Sequence, residues 1–282
     1  MITTSAPIQT GLYLYGITVA DPMRGKGDSP HFPERPDGCF AEMGTAPFST
    51  LMPCSLCGVG GADVELVVEG NLAAIVSQLG AGKIRPQRAN LAAHHRILHD
   101  LAEDQPVLPV VFGTITGNEE QLRRILRRNE SALSDLLDRL QGKVEMGLKV
   151  YWDLPNVFEY FVATHQELES MRNRLFRPGR TPTVEEKVEL GERFVSLLQQ
   201  ARARHTQRVK EALAAYSVEV RSTDPGEERM ILKLACLVEK NRQGQWEEGV
   251  RQAAMFFDDH YRFDYNGPWP PYNFADVDLR LS

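Results

Sequence analysis

From Glu145 onward the apolar residues of this chain change period in a fixed order, and that order restricts the fold more than any other feature. "EMGLKVYWD" (Glu145–Asp153) reads as a strand. Residues 156–176 repeat at three and four, with Phe158, Phe161, Leu168 and Leu175 facing inward, before "RPGRTP" breaks the chain. "TVEE" (Thr183–Glu186) is a capping box, in which the threonine hydroxyl and the glutamate close the first turn of a helix running to about Tyr216. Its apolar stripe is Val184, Val188, Val195, Leu198, Val209, Ala212 and Tyr216. "VEVRS" and "MILKLACLVEK" are strands, residues 244–259 a helix with Trp246, Val250, Ala253 and Phe257 on one face, and "YRFDYNG" the last strand. This β–α(α)–β–β–α–β order is that of a ferredoxin-like split βαβ fold with an enlarged helical crossover.

The preceding part reads β–β–β–α–β–α. "GLYLYGI" (Gly11–Ile17) opens it, "VELVVEG" (Val64–Gly70) and "LAAIVSQL" (Leu72–Leu79) form a hairpin turning at Glu69-Gly70-Asn71, and residues 87–103 are a helix with Leu91, Leu98, Leu101 and Ala102 on its stripe. "VLPVVFGT" (Val107–Thr114) is a strand whose Pro109 confines it to an edge or to one-sided pairing, because proline has no N–H to give a ladder. Residues 118–141 form one leucine-rich helix stopped by Gly142. The expected class is α+β in two domains, 1–142 and 143–282, the second carrying the aromatic and proline-rich tail. Residues 20–61, where prolines and glycines replace any apolar period, are expected to be an insertion dispensable for the fold.

A net charge of −6 is poor footing for a nucleic-acid binder, and "MILKLACLV" lacks the aromatics on which an RNA-recognition sheet stacks bases. No signal segment and no stretch of about 18 apolar residues is present, so a cytoplasmic location without a membrane span is expected. Four cysteines are too few for a disulfide framework. "CSLC" (Cys54–Cys57), with Cys39 and His31, supplies four residues of the type that ligate zinc, but its spacing matches no zinc module. "HHRILH" places His94, His95 and His99 on one helix, where hydrogen-bonded histidines packed on the sheet are the better reading than a metal pair. These histidines or Cys54 and Cys57 would serve an alternative function, a metal- or ligand-responsive regulator. No nucleophile–base grouping and no phosphate-binding loop is recognisable, so no catalytic residue and no cofactor are assigned.

The tail "GPWPPYNF" (Gly267–Phe274) joins three aromatics to a proline-stiffened path that loses little entropy on ordering. It resembles the C-terminal signature of the gas vesicle protein GvpF/GvpL family. "GLYLYGI" is similar to that family's opening strand, "GNLAAIVS" to a hairpin arm, and "HHRILHDLAEDQPVLPVVFGT" to a central helix–strand motif, so the resemblance runs from Gly11 to Phe274. It implies a minor, non-enzymatic component of gas vesicle assembly. Such a component contacts the hydrophobic shell protein GvpA and other accessory proteins, keeps shell subunits from aggregating, and stays with the vesicle. The motif residues it nominates for partner binding are Pro109, Phe112, Gly113, Gly267, Pro268, Trp269, Pro270, Pro271, Tyr272 and Phe274. The chain departs from the pattern at Val111, where an arginine often precedes Phe-Gly, and in residues 20–61, which have no counterpart there.

Overall fold

The computed structural model describes residues 11–20, 57–79, 84–227 and 229–276. They fall into two compact units, one extending to Lys143 and resumed at Trp269, the other spanning Val144–Pro268. From Trp269 onward the tail therefore groups with the first unit, not with the second domain expected from its place in the sequence. Most of the 20–61 segment lies outside the described residues.

In the first unit, strands β1 (Gly11–Val19), β2 (Val64–Glu69), β3 (Leu72–Leu79), β4 (Val107–Pro109) and β5 (Ile115–Thr116) form a sheet in the order β2-β3-β1-β4, with β5 also paired to β1. The hairpin turns where expected: Glu69 pairs with Leu72, and Gly70 between them has φ +59. β1 and β3 are buried almost throughout, so both of their faces must be covered. α1 (Arg88–Asp104) covers the face carrying Tyr13, Tyr15 and Ile75 with Ile97, Leu98 and Leu101. α2 (Glu119–Arg128) and α3 (Glu130–Leu140) supply the second cover through Leu122, Leu126, Leu133, Leu137 and Leu140.

The single helix expected over 118–141 is divided at Asn129. Its side-chain amide donates to the Ile125 carbonyl at 2.8 Å, a local bond that competes with continued helix. The same competition divides 156–176 into α4 (Val157–Thr164) and α5 (Gln166–Leu175). There the Thr164 hydroxyl donates back to the Tyr160 carbonyl at 2.8 Å, and His165 leaves helical geometry.

The second unit holds β6 (Lys143–Trp152), β7 (Glu219–Thr223), β8 (Met230–Glu239) and β9 (Tyr261–Trp269) in the order β7-β8-β6-β9. Numbered within the unit this is second–third–first–fourth, the split βαβ arrangement read from the sequence. β9 runs through Asn266 and Gly267 and on to Trp269, two residues beyond the strand read from the sequence. A Cβ at residue 267 would meet Met146 Sδ at 2.8 Å and the Glu145 carbonyl at 3.0 Å, so only glycine lets the strand lie this close to β6. The core gathers Trp152, Phe161 and Trp246 with the inner face of α6 (Val184–Leu213) and α7 (Gln243–Ala254).

The Thr183–Glu186 capping box opens α6 as read from the sequence. Its expected apolar stripe does not stay inside, however. Leu198 and Val209 are buried, whereas Val184, Val188 and Val195 are 71%, 51% and 46% exposed. The buried face is Leu190, Leu197, Leu198, Ala201, Val209 and Leu213. Leu198→Ala is accordingly expected to cost about 2–5 kcal/mol, and Val195→Ala no more than about 0.5 kcal/mol, read from denaturant midpoints.

Candidate functional site

Side chains two apart on a strand share a face, so β1 sends Tyr13 and Tyr15 together towards α1. Both rings are fully buried and meet edge to face, with centroids 4.7 Å apart. A buried hydroxyl left unpaired costs about 1–3 kcal/mol, and each phenol here recruits its partners from distant parts of the chain.

The Tyr15 hydroxyl accepts the Val59 N–H at 2.8 Å and lies 2.9 Å from Ser77 Oγ. This fixes the end of the proline- and glycine-rich segment: Val59 is 1% exposed, and a Cβ on Gly58 would collide with the Tyr15 hydroxyl and Ser77. The expectation that residues 20–61 are dispensable fails at this end, because Gly58 and Val59 are part of the core.

The Tyr13 hydroxyl accepts the Gly113 N–H at 3.2 Å and lies 2.9 Å from His94 Nδ1. Gly113 sits at φ +90, inside a bulge that replaces the continuous strand expected over Val107–Thr114. On one side of the bulge the Val110 N–H donates to the Tyr15 carbonyl at 2.9 Å; on the other the Leu14 N–H donates to the Thr114 carbonyl at 3.0 Å. The bulge turns Phe112 inward against Tyr13 and His94, at 6.0 and 5.6 Å between centroids, and leaves Val111 at its tip 79% exposed. Pro109 pairs with Gly16 at the sheet edge.

His94 stacks on Tyr15 and is 1% exposed. Burial, followed by the neighbouring His95, pushes its pKa down from 6.5 to about 4, so the ring is neutral. Burial likewise pushes Tyr13 up to about 12. Among the described residues His94 Nδ1 is the one acceptor within reach of the buried Tyr13 O–H, so the phenol proton goes to Nδ1 and the imidazole proton resides on Nε2. That N–H is buried with no well-formed hydrogen bond, and the main chain of Val110 gives it only a weak contact. Two neutral groups closed to solvent make a structural pin, holding the bulge and α1 to β1.

The tail docks beside this pin. His95 Nδ1 lies 3.0 Å from the Tyr272 hydroxyl, and Tyr272 packs against the same core as Phe112. Pro270 and Pro271 are buried, Phe274 is 1% exposed, and Trp269 is 42% exposed. Of the residues nominated from sequence, Phe112, Gly113, His94, His95 and Tyr272 come together around α1. Gly267 and Pro268 belong to the second unit. Tyr13, Tyr15, Ser77 and Val59 were missed; the signal for the first two is a pair of tyrosines spaced by two in an apolar strand.

The metal reading finds no support. His95 is engaged with Tyr272, while His99 faces Asp100 and Glu103 at 3.7 and 3.8 Å. Among the described residues no three His, Cys, Asp or Glu side chains converge on a metal position. Cys57 is exposed and free, and Cys39, Cys54 and His31 lie outside the described residues.

The His94 environment has a pH signature. Between pH 6.5 and about 4 the unfolded chain binds a proton at this ring that the folded chain refuses, so stability falls as pH falls through that window and changes no further below it. Relative to His94→Asn, the wild type is expected to lose up to about 3 kcal/mol across the window, at about 1.36 kcal/mol per pKa unit. Chemical denaturation of both proteins at several pH values measures the difference.

Comparison with known proteins agrees with this geometry. Residues 11–276 match the family model described as gas vesicle synthesis protein GvpL/GvpF. The chain is 30% identical over 229 residues to gas vesicle protein F of Streptomyces sp. (strain CB03234), covering 80% of this chain and 94% of that protein. It is 28% identical over 253 residues to gas vesicle protein L of the same strain, covering 83% and 91%. The crystal structure of GvpF from Anabaena sp. PCC7120 shares the fold with a TM-score of 0.73 at 24% identity, over 95% of this chain and 99% of that one. GvpF from Microcystis aeruginosa gives 0.70 at 22% identity, with the same coverage. No helix among the described residues is long and apolar enough to cross a membrane. With the opening strand, the bulge and the docked tail all inside the matched span, the chain belongs to the GvpL/GvpF family of gas vesicle synthesis proteins.

Proposed function

We propose that this protein is a non-enzymatic accessory factor of gas vesicle assembly, working in the cytoplasm and staying with the vesicle. It binds the small hydrophobic shell protein GvpA, together with other accessory proteins, and keeps shell subunits from aggregating while a vesicle nucleates. The observation that carries this reading is the family match over residues 11–276, which includes every element of the described site.

The anchored tail and bulge are the surface we assign to partner binding. Phe112, Gly113 and Tyr272 are tied to α1 and β1 in the free protein, and Phe274 is buried. Val111, beside them in sequence, stays largely in solvent, and Trp269 keeps a partly exposed ring. A surface ordered in advance loses less entropy when an apolar partner docks. The sheet edge carrying Pro109 offers a further place for an extended segment.

Affinity capture from cells making gas vesicles tests the assignment. The wild type is expected to retain GvpA. Trp269→Ala is expected to retain several-fold less, with some loss of stability because more than half of the ring is covered, whereas Val111→Lys, at a position 79% exposed, is expected to weaken capture with an unfolding midpoint close to wild type. Phe274→Ala is instead expected to lose about 3–5 kcal/mol of stability, as large-to-small changes in a core do. A wild-type chain that captures no shell protein would refute the partner assignment. Full capture by Trp269→Ala would move the surface elsewhere.

A further inference from the structure

The exposed valines of α6 lie in an order that a helix buried on its own does not need. Val184, Val188, Gly191 and Val195 are spaced four, three and four apart, the alternation of the inward positions of a coiled coil. At 3.6 residues per turn they fall within an arc of roughly 60°, about a quarter-turn away from the face that Leu190, Leu197, Leu198 and Ala201 bury in the second unit. The stripe is about 17 Å long. At Gly191 it is open: an added Cβ would meet nothing within 4 Å.

Charge identifies the occupant. Lys187 and Glu192 flank the stripe on opposite sides, and both are exposed. Among the described residues neither side chain has an ion-pair partner, whereas the nearby Glu186 and Arg193 are paired to Arg180 and Glu167. When two copies of one helix lie parallel and in register, a flanking residue on the Lys187 side faces the residue five positions later, on the Glu192 side, of its neighbour. Lys187 of each copy then meets Glu192 of the other, giving two ion pairs by symmetry. An antiparallel pairing sets like flanks against each other, glutamate facing glutamate. Valines at positions 188 and 195 also suit a two-stranded coil.

We propose that the N-terminal half of α6 is a self-association seam on which a second copy of this chain docks its own α6, parallel and in register. The seam is short and has a glycine at an inward position, so the association is weak and reversible. This inference stands independently of the assignment of GvpA as partner.

Sedimentation velocity over a range of concentrations tests it. Gly191→Leu adds an aliphatic side chain at a position where the Cβ meets nothing within 4 Å, and should tighten association about tenfold, the effect of burying one large aliphatic side chain. Val188→Lys should abolish association. Lys187→Glu and Glu192→Lys should each weaken it, and an equimolar mixture of those two variants should restore it as a heterodimer. All four positions are exposed, so thermal midpoints at or above wild type should accompany these changes. If the wild type and Gly191→Leu both stay monomeric at every concentration, the proposal falls and the stripe is left to a helix of another protein. A mixture that associates no better than its components would overturn the parallel pairing.

Discussion

The first unit depends on two phenol hydroxyls that cannot reach water. β1 is covered on both faces, yet it carries Tyr13 and Tyr15 at 0% exposure, and each oxygen must find its partners inside. Satisfying them draws in four separate stretches of chain. The Tyr15 oxygen holds Val59 and Ser77, and the Tyr13 oxygen holds Gly113 and His94. A strand with phenylalanine at both positions would bury as much apolar surface and specify none of these neighbours. The bulge at 110–114, the position of α1 and the return of the chain at Val59 are thus consequences of polar groups placed in a core, which confine the packing more narrowly than apolar contact does.

Much of the architecture was legible in the sequence because periodicity reports which side of an element is dry. The order of elements after Glu145, the hairpin at Gly70 and the capping box at Thr183 each rest on a local rule, and each is present. The breaks at Asn129 and His165 were not legible, since a side chain bonding back to the helix leaves the leucine period on either side undisturbed. The bulge was hidden for a similar reason. "VVFGT" reads as strand in every residue except Gly113, and what bends it is a hydroxyl about a hundred residues earlier.

The tail shows a limit of another kind. Its stiffness and aromatic content were plain from composition, and Phe274 is buried as such a residue should be. Which surface it covers was not plain. Nothing local in "GPWPPYNF" distinguishes docking on the preceding sheet from docking on His95, because the complementary group is a histidine far away in sequence. The same histidine sits beside His94, whose proton is excluded by burial, so the tail is anchored next to a neutral ring and not a charged one. The tail bond sits at the edge of a pin that stays intact above the window in which His94 is forced to titrate.

The exposed stripe of α6 follows from a mismatch of lengths. A helix of 30 residues runs about 45 Å, whereas a ten-residue strand such as β8 runs about 33 Å. Strands of that length cannot cover such a helix from end to end. Towards its N-terminus α6 relies on α4 and α5, with Phe194 against Phe158 and Phe161, and Arg193 paired to Glu167. Two short helices close one side of a cylinder and leave the next quarter-turn open. The chain could have filled that quarter with glutamate and lysine, as it does at 185–187 and at Glu189 and Glu192. It places valines there instead, at coiled-coil spacing. Three β-branched residues exposed by about half or more gain little for an isolated helix, where they cost propensity. Their placement is accounted for when a second helix covers them.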